Sequence, residues 1–151
     1  MRMQRARVVD RPVHLSTDAP MNATPTRNER LAALLVLLAV ALGAMGAHAL
    51  EARLAATPKG LDIWRTAALY HLVHAVALYF LAARNRPFAW WSILSGILLF
   101  SGSLYIYALT QVKFLVFVTP VGGLLFMLGW LALAMAKSRP TEPAPEKNRR
   151  F

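Results

Sequence analysis

Polar and apolar positions along the chain divide it into four long uncharged stretches and the short polar segments that join them. From Leu31 to Leu50, 20 consecutive residues carry no Asp, Glu, Lys or Arg. A second apolar stretch covers 63–83 and is uncharged from Thr66 onward; a third covers 88–109 and a fourth 114–136. An α-helix rises ~1.5 Å per residue, so ~20 apolar residues cross the ~30 Å of bilayer hydrocarbon. In lipid every backbone N–H and C=O must be bonded within a helix or a closed barrel. Barrel strands alternate over only ~10 residues, which these continuous runs do not. The pattern therefore predicts an all-α fold, an integral membrane four-helix bundle with spans 31–50, 63–83, 88–109 and 114–136.

The joining segments are polar. Glu51, Arg53, Thr57, Pro58, Lys59, Gly60 and Asp62 connect the first two spans, with room for a short interfacial helical turn. Arg84-Asn85-Arg86-Pro87 forms a tight basic turn, and Thr110 to Lys113 makes the last one. Residues 1–30 read as a disordered basic tail with Pro12, Pro20 and Pro25, and 137–151 as a second disordered tail. Met1 and Met21 are both plausible starts. Basic residues, an apolar run and Ala47-His48-Ala49 together resemble a cleavable signal peptide, but the run exceeds the ~7–15 residues of such an h-region. It is read as a retained span.

Composition sharpens this reading. Apolar residues make up 57% and charged residues 16%, against ~45–50% and ~25% in soluble domains. The net charge of +10 would suit nucleic acid if it formed a patch on a folded domain. Instead the basic residues sit in tails and turns, so nucleic acid is excluded and the lipid bilayer is the expected partner. Six Lys/Arg lie in the first tail, two in the turn between the second and third spans and five in the last tail, against three and one in the other connections. This asymmetry predicts cytoplasmic termini. Trp90, Trp91 and Trp130 on the inner side and Trp64, Tyr105 and Tyr107 on the outer side read as interfacial anchors. The chain has no cysteine, which removes disulfide and thiol chemistry.

Small residues suggest close helix packing, which in lipid takes the place of a hydrophobic drive between helices. The candidates are Gly43 and Gly46 on the first span, Gly96 and Gly102 on the third, and Gly122, Gly123 and Gly129 on the fourth. Pro120 removes one backbone bond inside the fourth span, so a kink is expected there, with Thr119 or a neighbouring helix taking up the freed carbonyl.

No Asp or Glu lies within the spans, and a proton-coupled exporter of this size would need one, since intramembrane relays use ionisable residues. Histidines remain. His71 and His74 are three apart on one face of the second span, ~12 Å and ~16 Å along it; His48 sits near the outer end of the first. A candidate polar site comprises His48, Tyr70, His71, His74, Ser101, Ser103 and Thr119. Three readings are open for the histidines: hydrogen-bonding glue between helices, a proton or small-solute site, and a metal or haem site. Haem would need two histidines facing each other at matched depth, and the spacing supplies no obvious pair. No cofactor, metal or catalytic residue is expected.

Several segments resemble an uncharacterised membrane family, domain of unknown function 423, also called uncharacterised protein family 0382. Gly43-Ala44-Met45-Gly46-Ala47-His48-Ala49-Leu50 is similar to its "GAFGAH" segment. Trp64-x-Thr66-Ala67-x-x-Tyr70-His71-x-x-His74-Ala75 looks like its second helix. Leu99-Phe100-Ser101-Gly102-Ser103-Leu104-Tyr105 looks like its third, and Phe117-Val118-Thr119-Pro120-Val121-Gly122-Gly123 with Gly129-Trp130 like its fourth. The resemblance spans about residues 31–136. It implies a bacterial inner-membrane, multi-pass protein and no particular reaction, and its members often carry Gln where this chain has His71.

The functional expectation is a non-enzymatic structural, accessory or assembly partner in the envelope, with other membrane proteins or a second copy of the chain as partners. The alternative is a carrier or channel for a small solute or proton that uses the embedded His, Ser and Tyr groups.

Overall fold

A computed structural model describes residues 24–84 and 86–137. Both predicted tails fall largely outside this range. Five helices follow in order: α1 (Arg27–Ala47), α2 (Glu51–Ala55), α3 (Gly60–Ala82), α4 (Pro87–Thr110) and α5 (Leu115–Ala134). The fold is all-α, as the apolar pattern predicts.

The bounds differ from the apolar runs where local hydrogen bonding decides them. α1 starts at Arg27, four residues before the uncharged run, because Thr26 and Glu29 form a capping box. The Thr26 hydroxyl accepts the Glu29 N–H at 3.2 Å, and the Glu29 carboxylate accepts the Thr26 N–H at 2.7 Å. Two otherwise orphan donors are thereby satisfied. At the other end, α1 stops at Ala47 and α2 supplies the short turn expected before α3. The Thr57 hydroxyl lies 3.0 Å from the Leu54 carbonyl and 3.1 Å from the Ala108 carbonyl, tying this connection to α4.

α1, α4 and α5 are long and apolar enough to cross a membrane. α3, with 23 residues, has the length, but Asp62, Arg65, His71 and His74 dilute its apolar character. It also lies between neighbours, burying Trp64, Ala67, His71, His74, Ala75, Leu78 and Leu81. A helix shielded by its neighbours tolerates polar groups that a lipid-facing one does not.

The arrangement is a row rather than a closed ring. α1 packs on α3, α3 on α4, and α4 on α5, while the α1 and α5 backbones do not approach within 8 Å. On α1 the buried positions are Ala32, Ala39 and Gly46, seven apart. That spacing makes one narrow seam of small residues, against which α3 lies close. Most of α1 and most of α5 present side chains such as Leu34, Leu37, Phe117, Met127 and Leu131 outward, as side chains bathed in lipid would be.

α4 contains a π-helical turn over Ile97–Ser101, which apolar periodicity did not anticipate. Gly122 of α5 faces it. A Cβ there would run into the backbone of Leu99 and Phe100, so α4 and α5 meet backbone to backbone at this level. Gly46 likewise lies under the Trp64 indole, Gly96 under the Phe126 ring and Gly129 against Ile93. Gly43 and Gly102 have no heavy atom within 4 Å of a built Cβ, and Gly123 only ordinary contact with Phe100. The close contact expected at Gly43 and Gly102 is therefore not found: a Cβ at either would meet open space, at Gly43 in a small gap between α1 and α3.

Candidate functional site

The expected polar residues do not converge on one cavity; they divide among three levels and faces. His48 caps the C-terminal end of α1 and is exposed. It meets none of the others.

His74 faces α5. Its Nδ1 lies 2.8 Å from the Tyr70 carbonyl, and the Trp130 indole N–H donates to its Nε2 at 3.2 Å. A carbonyl only accepts and an indole N–H only donates, so Nδ1 carries the proton and Nε2 is bare. Both ring nitrogens are thus committed in a single neutral tautomer. The ring also stacks on Phe126 at 3.6 Å between centroids. Tyr70, one turn earlier, is exposed beside Phe100 at 4.7 Å, on a groove of about 620 Å³ that Pro120, Gly123 and Trp130 also line. Its lining is largely apolar.

Ser103 and Thr119 join α4 to α5, their hydroxyls 2.7 Å apart. Ser103 Oγ also lies 3.0 Å from the Phe100 carbonyl and Thr119 Oγ1 3.0 Å from the Leu115 carbonyl. Two hydroxyl hydrogens thus serve three close oxygen contacts. Thr119 does not reach the Val116 carbonyl that Pro120 leaves without its usual donor. The Ser92 hydroxyl adds a second strut, donating to the Leu125 carbonyl at 3.1 Å.

His71 turns toward Tyr105 of α4 rather than toward α5. It is 3% exposed, neither ring nitrogen has a partner, and its ring meets that of Tyr105 edge-on at 6.1 Å. The Tyr105 hydroxyl and Ser101 Oγ are also buried without partners. Ser101 and Tyr105 are four apart and share one face of α4. Tyr105 packs against Trp64 at 4.6 Å, and Trp64 donates its indole N–H to the Leu42 carbonyl of α1 at 2.8 Å.

These contacts correct the expectation of interfacial anchors. Trp64, Trp90 and Tyr105 are buried and work inside the protein, whereas Trp91 and Trp130 are exposed. Trp64, Tyr105 and Trp130 carry the best-defined polar and stacking contacts between helices, and the sequence marked them only as aromatic. Among the described residues, no three His, Asp or Glu side chains come together in a group that could hold a metal ion.

Three long apolar helices with lipid-facing side chains, and polar groups turned inward to bond between helices, define a multi-pass α-helical membrane protein. The chain belongs to the family described as "Protein of unknown function (DUF423)", whose model matches residues 42–123. A UPF0382 membrane protein of Staphylococcus epidermidis is 43% identical over 112 residues, covering 70% of this chain and 90% of the relative. UPF0382 membrane protein YwdK of Bacillus subtilis is 42% identical over 114 residues, with 70% and 91% covered. A UPF0382 membrane protein of Staphylococcus aureus is 41% identical over 112 residues, with 70% and 90% covered. No solved structure matches the chain.

Proposed function

We propose that the protein is a non-enzymatic accessory element of the bacterial inner membrane. In this reading it spans the bilayer four times with both termini in the cytoplasm. One observation carries it: both His74 nitrogens are bonded, to the Tyr70 carbonyl and to Trp130. The group best suited by depth to move a proton or hold a solute is thus occupied in joining α3 to α5. Ser92, Ser103, Thr119 and Trp64 are spent in the same way. Bonds of this kind brace the helices against one another, and the lipid-facing surfaces of α1 and α5 leave wide areas for a membrane partner or a second copy. The fourth crossing is assigned to α3, shielded on both sides by α1 and α4. Cytoplasmic termini follow from the excess of Lys/Arg at the end where α1 begins and α5 finishes.

Cross-linking in intact membranes, followed by purification in mild detergent, tests the accessory reading. One recurrent partner or a discrete homo-oligomer is expected; uniform recovery as an isolated monomer overturns it. Reporter fusions after residues 57, 85 and 112 test topology, with only the middle one reading cytoplasmic.

A second reading, carriage of a proton or small solute, draws on unpartnered His71 and Tyr105. Flux into proteoliposomes that disappears in His71→Ala would favour it; no flux in wild-type vesicles would end it.

A further inference from the structure

Two clefts meet where α1 begins, α3 ends and α4 starts. The larger, about 520 Å³, is lined by Arg27, Asn28 and Arg30 and, further along α1 and on α4, by Leu31, Leu34 and Trp91. The smaller, about 280 Å³, follows the α3–α4 turn past Arg84 and Arg86. Asn28 and Trp90 line both.

Three features of this place point to a ligand. The first is uncompensated charge. Among the described residues, Glu29 is the single acid at this end, and its carboxylate is taken by the Thr26 N–H. The ion pair among the described residues, Asp62–Arg65, lies at the opposite end. Arg86 is held in place by a 3.0 Å bond from its guanidinium to the Lys137 carbonyl. The second is a buried orphan donor. Trp90 is 3% exposed, and its indole nitrogen has no hydrogen-bond partner. An indole N–H can only donate, like the guanidinium groups around it. The lining therefore offers donors and positive charge and asks for an anionic acceptor. The third is a gradient: from Arg27 to Leu34 the cleft descends ~10 Å along α1 and turns from basic to apolar.

We propose that this double cleft binds the phosphate headgroup of an anionic phospholipid, with an acyl chain lying over Leu31, Leu34 and Trp91. Arg27, Arg30 and Arg84 surround the phosphate, and the Trp90 indole donates from below. Arginine suits this task because its planar fork matches phosphate oxygens and stays charged at every physiological pH. Basic pockets between membrane helices are apt sites for anionic headgroups. The apolar part of the lining favours a lipid over a soluble phosphate. The site depends on membrane location alone, and stands whether or not the accessory reading does.

Native mass spectrometry of the full chain in neutral detergent tests this with phosphatidylglycerol, phosphatidylcholine and glycerol 3-phosphate as probes. Phosphatidylglycerol should be retained in preference to phosphatidylcholine and displaced little by millimolar glycerol 3-phosphate. Retention should fall about fivefold for each of Arg27→Gln, Arg30→Gln and Arg84→Gln, all exposed positions whose loss leaves the helices intact. Trp90→Phe should weaken it with the charge unchanged. Removing the same charge at the other end, in Arg53→Gln/Lys59→Gln/Lys113→Gln, should change nothing. Equal retention of the two lipids, or an equal loss from the far-end triple variant, overturns the proposal. Competition by glycerol 3-phosphate as effective as by the lipid would reassign the cleft to a soluble phosphate and overturn it too.

Discussion

Trp130 of α5 donates to His74 of α3 at 3.2 Å across 56 residues of chain, fixing the tautomer of the one histidine whose depth suited it best to chemistry. Bonds between membrane helices are worth about 0.6 kcal/mol on average and up to about 1.7. Trp130→Phe should therefore cost about 0.5–1.5 kcal/mol. His74→Ala, which also removes the ring stacked on Phe126, should cost roughly 2 kcal/mol or more. Unfolding of each variant in mixed micelles measures both, and a neutral Trp130→Phe would show that the bond contributes nothing.

Gly122 and Gly43 should respond oppositely to the same change. Gly122→Ala drives a methyl group into the α4 backbone at Leu99 and Phe100. Backbone cannot yield as a flexible side chain can, so a loss of several kcal/mol is expected, on the order of the larger overpacking penalties. Gly43→Ala and Gly102→Ala meet nothing within 4 Å and should be neutral or gain up to about 1 kcal/mol from helix propensity. Thermal melts of the three variants side by side decide this.

Tyr105→Phe should be neutral or mildly stabilising. The hydroxyl is buried without a partner, and removing an unsatisfied buried polar group recovers about 1 kcal/mol or somewhat more. A destabilisation above about 1 kcal/mol would show instead that this hydroxyl is bonded in the membrane. Adding His71→Leu completes the cycle: additivity is expected, and a large coupling would link the two groups.

Ser103→Ala and Thr119→Val should each cost about 0.5–1.5 kcal/mol, and the double variant less than their sum, because the hydroxyls, 2.7 Å apart, act as one strut. Double-mutant analysis of unfolding in micelles gives the coupling; strict additivity would separate the two residues.

Little in the sequence distinguished Trp64 from Trp91. Both are tryptophans near the ends of apolar runs, where interfacial anchoring is the ordinary role. Trp64 instead seats its ring on Gly46 and bonds the Leu42 carbonyl. The seven-residue spacing of Ala32, Ala39 and Gly46 was the available signal for where α3 would lie. For His71 and His74 the three-residue spacing suggested one shared face. Yet three residues subtend about 300° on a helix, enough to send one ring toward Tyr105 and the other toward Trp130.

By itself the sequence determined that this is an all-α membrane protein, where its apolar helices run, and which family it belongs to. Those properties follow from the run length of uncharged residues and from local motifs, and lipid imposes them on each segment separately. Only the tertiary structure decided which polar groups are satisfied and which are not, that the helices form a row, and that Gly122 rather than Gly43 admits a neighbour. These depend on the rotation of each helix about its own axis, which pairings 16 to 56 residues apart set and which no local pattern encodes.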